Sequence, residues 1–447
     1  MRKRVLWSIT ALTALSLWIS GPVAAEDANI SAETEKCLAC HESKPGMVGQ
    51  WKDSAHFDAG VGCYECHKAD EGDIDAVDHY TFKVAVIVSP KDCGSCHPRE
   101  TEEHLGSHHA KGGDILNTSD GVLGQTIGGE PAVAVGCRQC HGSIVKVNDD
   151  GTLDTATWPN TGIGRVNPDG SKGACSACHT RHRFSKAQAR RPSACGKCHL
   201  GPDHPQKEVY EESKHGILFD AFSDELNMDS DEWIAGEHYI DAPTCATCHM
   251  SATPNQQTTH DVATRLSWNL RAPISKRTED WEKKLTDMKD VCQSCHADNF
   301  VDSFYSQLDS FVGLYNDKFG IPAKEIRDLL MEEGVISKQN FDDKIDWLYW
   351  ELWHHEGRRA RHGAAMSGPD YAWWHGIYDV AKNFYTEFLP HVEEACQKAG
   401  KPELYEGILE KYIEGRPEHE WYINGFDPER VEAIKQYYRD RYNQEVN

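Results

Sequence analysis

The sequence predicts a mainly α-helical protein with few strands, in which a region packed around something other than its own side chains precedes a bundle of long helices. Three observations lead there. Residues 26–300 are broken by Gly, Pro and Asp, show only short helical stretches, and hold too little apolar side chain to fill a core of their own. From Val301 onward apolar residues recur at three- and four-residue intervals, the period of amphipathic helices. Sixteen of the 17 cysteines fall into eight copies of one motif, Cys-x-x-Cys-His.

The motif decides what fills the first region. The copies begin at Cys37, Cys63, Cys93, Cys137, Cys175, Cys195, Cys245 and Cys292, with second cysteines at Cys40, Cys66, Cys96, Cys140, Cys178, Cys198, Cys248 and Cys295. Two thiols at this spacing form thioethers to porphyrin vinyl groups while the adjacent imidazole ligates the iron, all within one helical turn. The proximal ligands are then His41, His67, His97, His141, His179, His199, His249 and His296. Zinc knuckles and redox dithiols also use Cys-x-x-Cys, but neither explains a histidine after every copy. The expected cofactors are eight covalently bound c-type haems, so residues 26–300 are read as a multihaem cytochrome c domain whose core is largely porphyrin. The leftover Cys396 lies in a helical stretch, Phe384 to Lys398, and is read as a buried apolar side chain.

Residues 1–25 read as a signal peptide: Arg2, Lys3 and Arg4 precede an apolar run from Val5 to Ile19 and a small-residue site at Val23-Ala24-Ala25. Removing them leaves 44 basic against 71 acidic residues, a net charge of -27. Such a surface disfavours nucleic acid and anionic membranes, whose binding needs clustered Lys and Arg. No later apolar run reaches the ~20 residues of a membrane span. The expected location is the periplasm.

Sixteen histidines remain for second axial positions. Several recur shortly upstream of an attachment site: His56 in Ser54-Ala-His56, His108 with His109 after Ser107, and His215 in Ser213-Lys-His215. His182, His238, His260 and His354 complete the set of candidate distal ligands. Between the fourth and fifth sites, Gly142 to Gly173 reads as an ordered loop near the fourth haem. Beyond it, residues 301–447 form the helical C-terminal domain, with helices expected at Phe304 to Phe319, Pro322 to Glu333, Phe341 to Met366, Asp370 to Gly400 and Pro428 to Tyr442. Helices this long need an apolar partner, which points to subunit contacts.

Eight such sites in one exported chain, followed by a helical third, resemble the hydroxylamine oxidoreductase family of octahaem cytochromes c. The more specific elements are Thr161-Gly-Ile-Gly-Arg-Val-Asn-Pro-Asp-Gly170, Gly201-Pro-Asp-His-Pro-Gln206, His354-His-Glu-Gly-Arg-Arg-Ala-Arg-His362 and Pro369-Asp-Tyr-Ala-Trp-Trp-His-Gly376. The resemblance implies that the fourth haem, on Cys137, Cys140 and His141, is catalytic with an open distal face covered by the C-terminal domain. It implies that Asp203 and His204 are its distal pair, and that Tyr371 reaches the catalytic porphyrin of a neighbouring subunit in a homotrimer and bonds to it. Related pentahaem nitrite reductases carry Lys where this chain has His141. The implied activity is oxidation of hydroxylamine, or of a small nitrogen hydride such as hydrazine, to nitric oxide or nitrite, with electrons leaving through seven bis-histidine haems to a soluble cytochrome c. The acidic surface favours a basic acceptor. Two alternatives share the motifs: an octahaem reductase forming ammonia from nitrite or hydroxylamine, and a non-catalytic electron conduit.

Overall fold

The computed structural model describes residues 29–443, so the signal-peptide reading of 1–25 lies outside the described residues. The chain is mainly helical. Among the described residues the strands are confined to two short antiparallel pairs, Ala76–His79 with Phe82–Ala85 and Trp268–Asn269 with Lys276–Arg277.

In the first region three attachment motifs become single helical turns that begin at the first cysteine, Cys63–His67, Cys137–His141 and Cys245–His249, while others lie in helices that begin upstream, as Cys37 does in Ala32–His41. The geometry follows from the chemistry, since both thiols and the imidazole must face one centre. Short capped helices carry further histidines. Ser54, Ser107 and Ser213 are buried, and each hydroxyl accepts a backbone N–H of the turn it opens, from Phe57 at 3.2 Å, His109 at 3.2 Å and Gly216 at 3.1 Å. Each cap fixes the histidine two residues later, His56, His109 and His215, in the turn.

Own-chain packing here is sparse. Among the described residues one apolar cluster forms, Leu226, Met228, Trp233, Ala235, Tyr239 and Ala246, and other buried apolar residues such as Trp51, Ile87 and Val209 lie scattered outside it. Around it runs a connected cavity of about 3910 Å³ lined by motif cysteines and histidines.

The Gly142–Gly173 segment is ordered and strapped across the fourth site. Ile163 and Gly164 donate backbone N–H groups to Cys140 O and His141 O at 2.9 and 3.1 Å. The crossing is so close that a Cβ on Gly162 would lie 2.0 Å from Gly142 N, which only glycine avoids. Arg165, buried, pins the strap through Asn160 O and Asn167 Oδ1 at 3.0 and 2.7 Å.

The C-terminal region is a bundle with its own core, including Phe319, Ile326, Leu330, Leu352, Phe384, Phe388, Leu389 and Cys396, all at most 1% exposed. The break expected at Gly320-Ile-Pro does not occur. Asp298–Tyr315 continues through a wide π turn, Asn316–Gly320, into Ile321–Glu332. The wider turn accommodates Pro322, which lacks an N–H and crowds the preceding turn of an ordinary α-helix. Similar π turns interrupt the helices spanning 344–365 and 369–398. A further helix, Pro402–Tyr412, went unread in the sequence. The last helix, Pro428–Asn443, stands clear of the bundle, with Ile434, Tyr437, Tyr438 and Tyr442 exposed.

The bundle is seated on the first region by buried arginines. Arg361 donates to Ala272 O and Ser275 Oγ at 2.8 and 2.7 Å, and Arg358 Nε donates to Arg271 O at 2.8 Å. This brings one face of the 344–365 helix, with His354, Arg358 and His362, onto the cavity.

Candidate haem centres and the fourth site

Two imidazoles bound to one metal at about 2.0 Å each leave their ring centroids roughly 6.3 Å apart. Five attachment histidines face a second imidazole at that spacing: His41 with His79 at 6.1 Å, His97 with His56 at 6.2 Å, His179 with His260 at 6.5 Å, His199 with His109 at 6.1 Å and His296 with His215 at 6.1 Å. The gaps are the width of an iron between two nitrogens. Together with the cysteine-lined cavity, they are what covalently attached haem requires of this chain.

Two family models match: one described as "Seven times multi-haem cytochrome CxxCH" over residues 164–343, and "Cytochrome c554 and c-prime" over residues 20–68. The chain is a multihaem cytochrome c. The cytochrome is 26% identical over 343 residues to a probable nitrite reductase-hydroxylamine oxidoreductase fusion protein of Kuenenia stuttgartiensis, an alignment taking in 62% of this chain and 36% of that protein. It thus spans about a third of that relative's length. A solved structure of a hypothetical multiheme protein superposes with a TM-score of 0.75 at 26% identity, covering 84% of this chain and 98% of the other. A reducing HAO-like protein complex of Kuenenia stuttgartiensis shares the fold, with a TM-score of 0.63 at 20% identity over 82% of this chain and 86% of that one.

Within the cytochrome, cysteines of different sites come into mutual reach: Cys37 with Cys63, Cys66 with Cys96, Cys93 with Cys175, Cys178 with Cys195, Cys195 with Cys245 and Cys248 with Cys292. The fourth site joins through Cys140, beside Cys198 of the sixth. The attachment sites therefore form one connected row, with the fourth branching from the sixth.

The placement of the sequence-picked histidines is mixed. His56, His215 and His260 each face an attachment histidine, and His182 lies in the electrostatic neighbourhood of His67. At the Ser107 turn it is His109, not His108, that faces His199; both histidines line the cavity, and the second residue after the seryl cap is the one set opposite His199. His238 is bonded instead to Glu232 Oε2 at 3.3 Å and to the Ile234 N–H at 3.2 Å. His354 faces no attachment histidine at this spacing, because Asp120 and Arg358 occupy its Nε2. His79 was missed; it sits at the end of a hairpin strand with no seryl cap to mark it.

His67, His141 and His249 have no imidazole at the paired spacing among the described residues. At His141 the neighbours are an acid–base cluster, Asp120, Asp203 and His204. His204 Nδ1 is 2.6 Å from Asp203 Oδ1 and its Nε2 donates to Cys198 O at 3.0 Å, so both ring nitrogens are taken. That excludes His204 as a partner for His199, although the ring centroids are 6.3 Å apart. Arg358 Nη1 donates to Asp203 Oδ2 at 3.2 Å. Burial by itself would raise the Asp203 carboxyl, but the hydrogen bond from His204 and the charges of His204, His354 and Arg358 outweigh it and hold the acid well below the usual range. Burial would lower His204, yet its bond to Asp203 raises it above the ordinary imidazole value. The pair is built to hold a proton on the imidazole. His362 is its opposite: burial and the adjacent arginines push it down to about 3, so it stays neutral beside Gln206.

Tyr371 opens the helix Pro369–Ala372, where its N–H donates to Glu212 Oε1 at 3.2 Å and its ring lies 5.6 Å from His375. It does not line the cavity of its own chain. Trp373, Trp374 and Tyr378 beside it are exposed.

Proposed function

We propose that the protein is an exported octahaem oxidoreductase that oxidises hydroxylamine, or a nitrogen hydride such as hydrazine, to nitric oxide or nitrite at its fourth attachment site. The observation carrying this reading is the cluster at His141, where an Asp–His–Arg constellation stands in place of a facing imidazole. Cys137, Cys140 and His141 would hold a haem, which would supply an iron to bind the nitrogen lone pair and take up electrons. The chain supplies the charges around it. His204 stands beside His141 as a fixed cation, Asp203 stabilises that cationic form, and Arg358 fixes Asp203. The remaining sites, five of them with facing imidazoles, conduct electrons along the row to a soluble, basic cytochrome c.

Oligomerisation belongs to the same reading. The free-standing Pro428–Asn443 helix and the exposed aromatics around Tyr371 are surfaces for neighbouring copies in a homotrimer, in which Tyr371 of one subunit covers and bonds to the catalytic porphyrin of the next. No helix among the described residues is long and apolar enough to cross a membrane.

A second reading runs the same site in reverse, reducing nitrite or hydroxylamine to ammonia. It is favoured by Arg358, whose cationic group lines the cavity where an anion would enter. Parallel assays decide: fast hydroxylamine oxidation with slow viologen-driven nitrite reduction is expected, and the opposite ranking overturns the oxidative reading. Denaturing gels stained for haem test the cross-link, with a covalent trimer expected from the native protein and a monomer from Tyr371→Phe.

A further inference from the structure

The row of attachment sites has two ends, the first site and the eighth. Exposure alone does not separate them, since Cys40 and His41 at one end and Cys295 and His296 at the other are all exposed. The cavity does. Cys292, His296 and its facing His215 line it, so the eighth site shares one enclosure with its neighbours. None of Cys37, Cys40, His41 and the facing His79 lines it, so the first site stands on the outer surface.

Charge separates the ends as well. His79 closes the strand Ala76–His79, and the ten residues ending on it, Asp70 to His79, hold five carboxylates and no Lys or Arg. Asp70, Glu71 and Asp78 are exposed. Lys91 takes Asp70 and Asp73 at 3.0 and 3.2 Å and Lys83 takes Asp78 at 2.9 Å, which offsets only part of the charge. Residues 29–85 carry 11 acidic against 5 basic side chains, a net charge of -6 and about twice the density of the whole chain. The nine residues Cys292 to Phe300 at the other end hold one carboxylate, Asp298. Beside the first site Tyr80 adds an apolar contact. It is 87% exposed, its ring lies 5.0 Å from that of His79, and a left-handed backbone with φ of 55° holds it at the tip of the hairpin.

We infer that the first site is the port at which electrons leave the row, and that a basic one-electron carrier docks there on the segment Asp70–Tyr80. The inference rests on reading the protein as passing its electrons to such a carrier. The carboxylates steer and orient the carrier's cationic face, and Tyr80 fills the contact. Each encounter moves one electron from the haem that Cys37, Cys40 and His41 would hold to the carrier's ferric iron. No bond forms or breaks and no proton moves. In the reductive direction the same port admits electrons.

Electron exchange without turnover tests the port. Dithionite-reduced full-length holoprotein, freed of reductant, is mixed in stopped flow with ferric mitochondrial cytochrome c, a basic carrier, at low ionic strength. The double variant Glu71→Lys, Asp78→Lys is expected to lower the second-order rate constant about tenfold or more and to flatten its dependence on salt. The Kd between the two oxidised proteins rises by a similar factor, while reoxidation by uncharged benzoquinone keeps its wild-type rate. Should that variant lose haem, Tyr80→Asn, which tolerates the left-handed turn, carries the test with a slowing of about threefold or more. Wild-type rates and affinity in these variants overturn the port, as does an equal or larger loss in Asp298→Lys, Asp302→Lys beside the eighth site. A wild-type protein that neither binds nor reduces cytochrome c overturns the port and leaves the reading of the fourth site intact. No nitrogen compound enters the experiment, so a port that holds in a protein unable to oxidise hydroxylamine upholds the inference and refutes the oxidative reading.

Discussion

Residues 29–300 and the bundle that follows solve the same problem by opposite means. The bundle buries Phe319, Phe384, Phe388 and their neighbours against one another, so its stability is written in its own side chains. The first region assembles one six-residue cluster and leaves a cavity of about 3910 Å³, so its apolar partner is the porphyrin bound to its cysteines. The same residue type therefore means different things in the two regions. Cysteine is the direct probe, since it occurs in both.

The largest effect is expected at the sixth site, where the row and its branch meet. Replacing Cys195 and Cys198 with Ala removes one haem and the apolar body it contributes next to sites four, five and seven; folded holoprotein should fail to accumulate, as read by haem-stained gels and intact mass. Recovery of a stable protein with the other haems in place would show that the first region packs without that haem. In the bundle, Phe384→Ala should cost about 3–5 kcal/mol in denaturant unfolding while leaving haem content per folded chain unchanged.

A smaller effect separates the regions by pH. Burial, opposed by the Asn383 hydrogen bond and Arg359, pushes the Glu356 carboxyl in the bundle up to about 8. An acid whose folded value exceeds its unfolded value of about 4.3 favours folding below that unfolded value. The contribution is lost as pH rises toward 8 and beyond, at ~1.4 kcal/mol per pH unit in between. Glu356→Gln should flatten this part of the stability profile, gaining on wild type at pH 9; an unchanged slope contradicts the assignment. Smallest is Cys396→Ala. The thiol is fully buried but bound to nothing, so the expected cost is about 1 kcal/mol with no change in the haem spectrum.

What the sequence discloses follows the same division. In the first region covalent chemistry imposes spacing, so every attachment residue is legible at sight. Three distal partners, His56, His109 and His215, follow Ser-x-His, and reading that offset strictly selects His109 over His108. His79 and Asp120 carry no local signal. His79 reaches His41 from a hairpin and Asp120 reaches the cavity from a short helix, and both placements depend on the fold around the porphyrins. In the bundle the apolar period marks the long helices but not their π turns. Those arise where Pro322, or a helix face that must meet two neighbours, forces an extra residue into a turn. Arg358 and Arg361 are close in sequence, yet their roles emerge only when the 344–365 helix lies on residues 271–275.

The central claim is that the fourth site, with an acid–base cluster at His141, keeps an open iron face, in contrast to the five sites that have facing imidazoles. Low-temperature electron paramagnetic resonance of the oxidised full-length holoprotein tests it most directly. One high-spin ferric signal is expected beside the low-spin signals, lost when Cys137 and Cys140 are both replaced with Ala. A spectrum containing only low-spin haem would contradict the account.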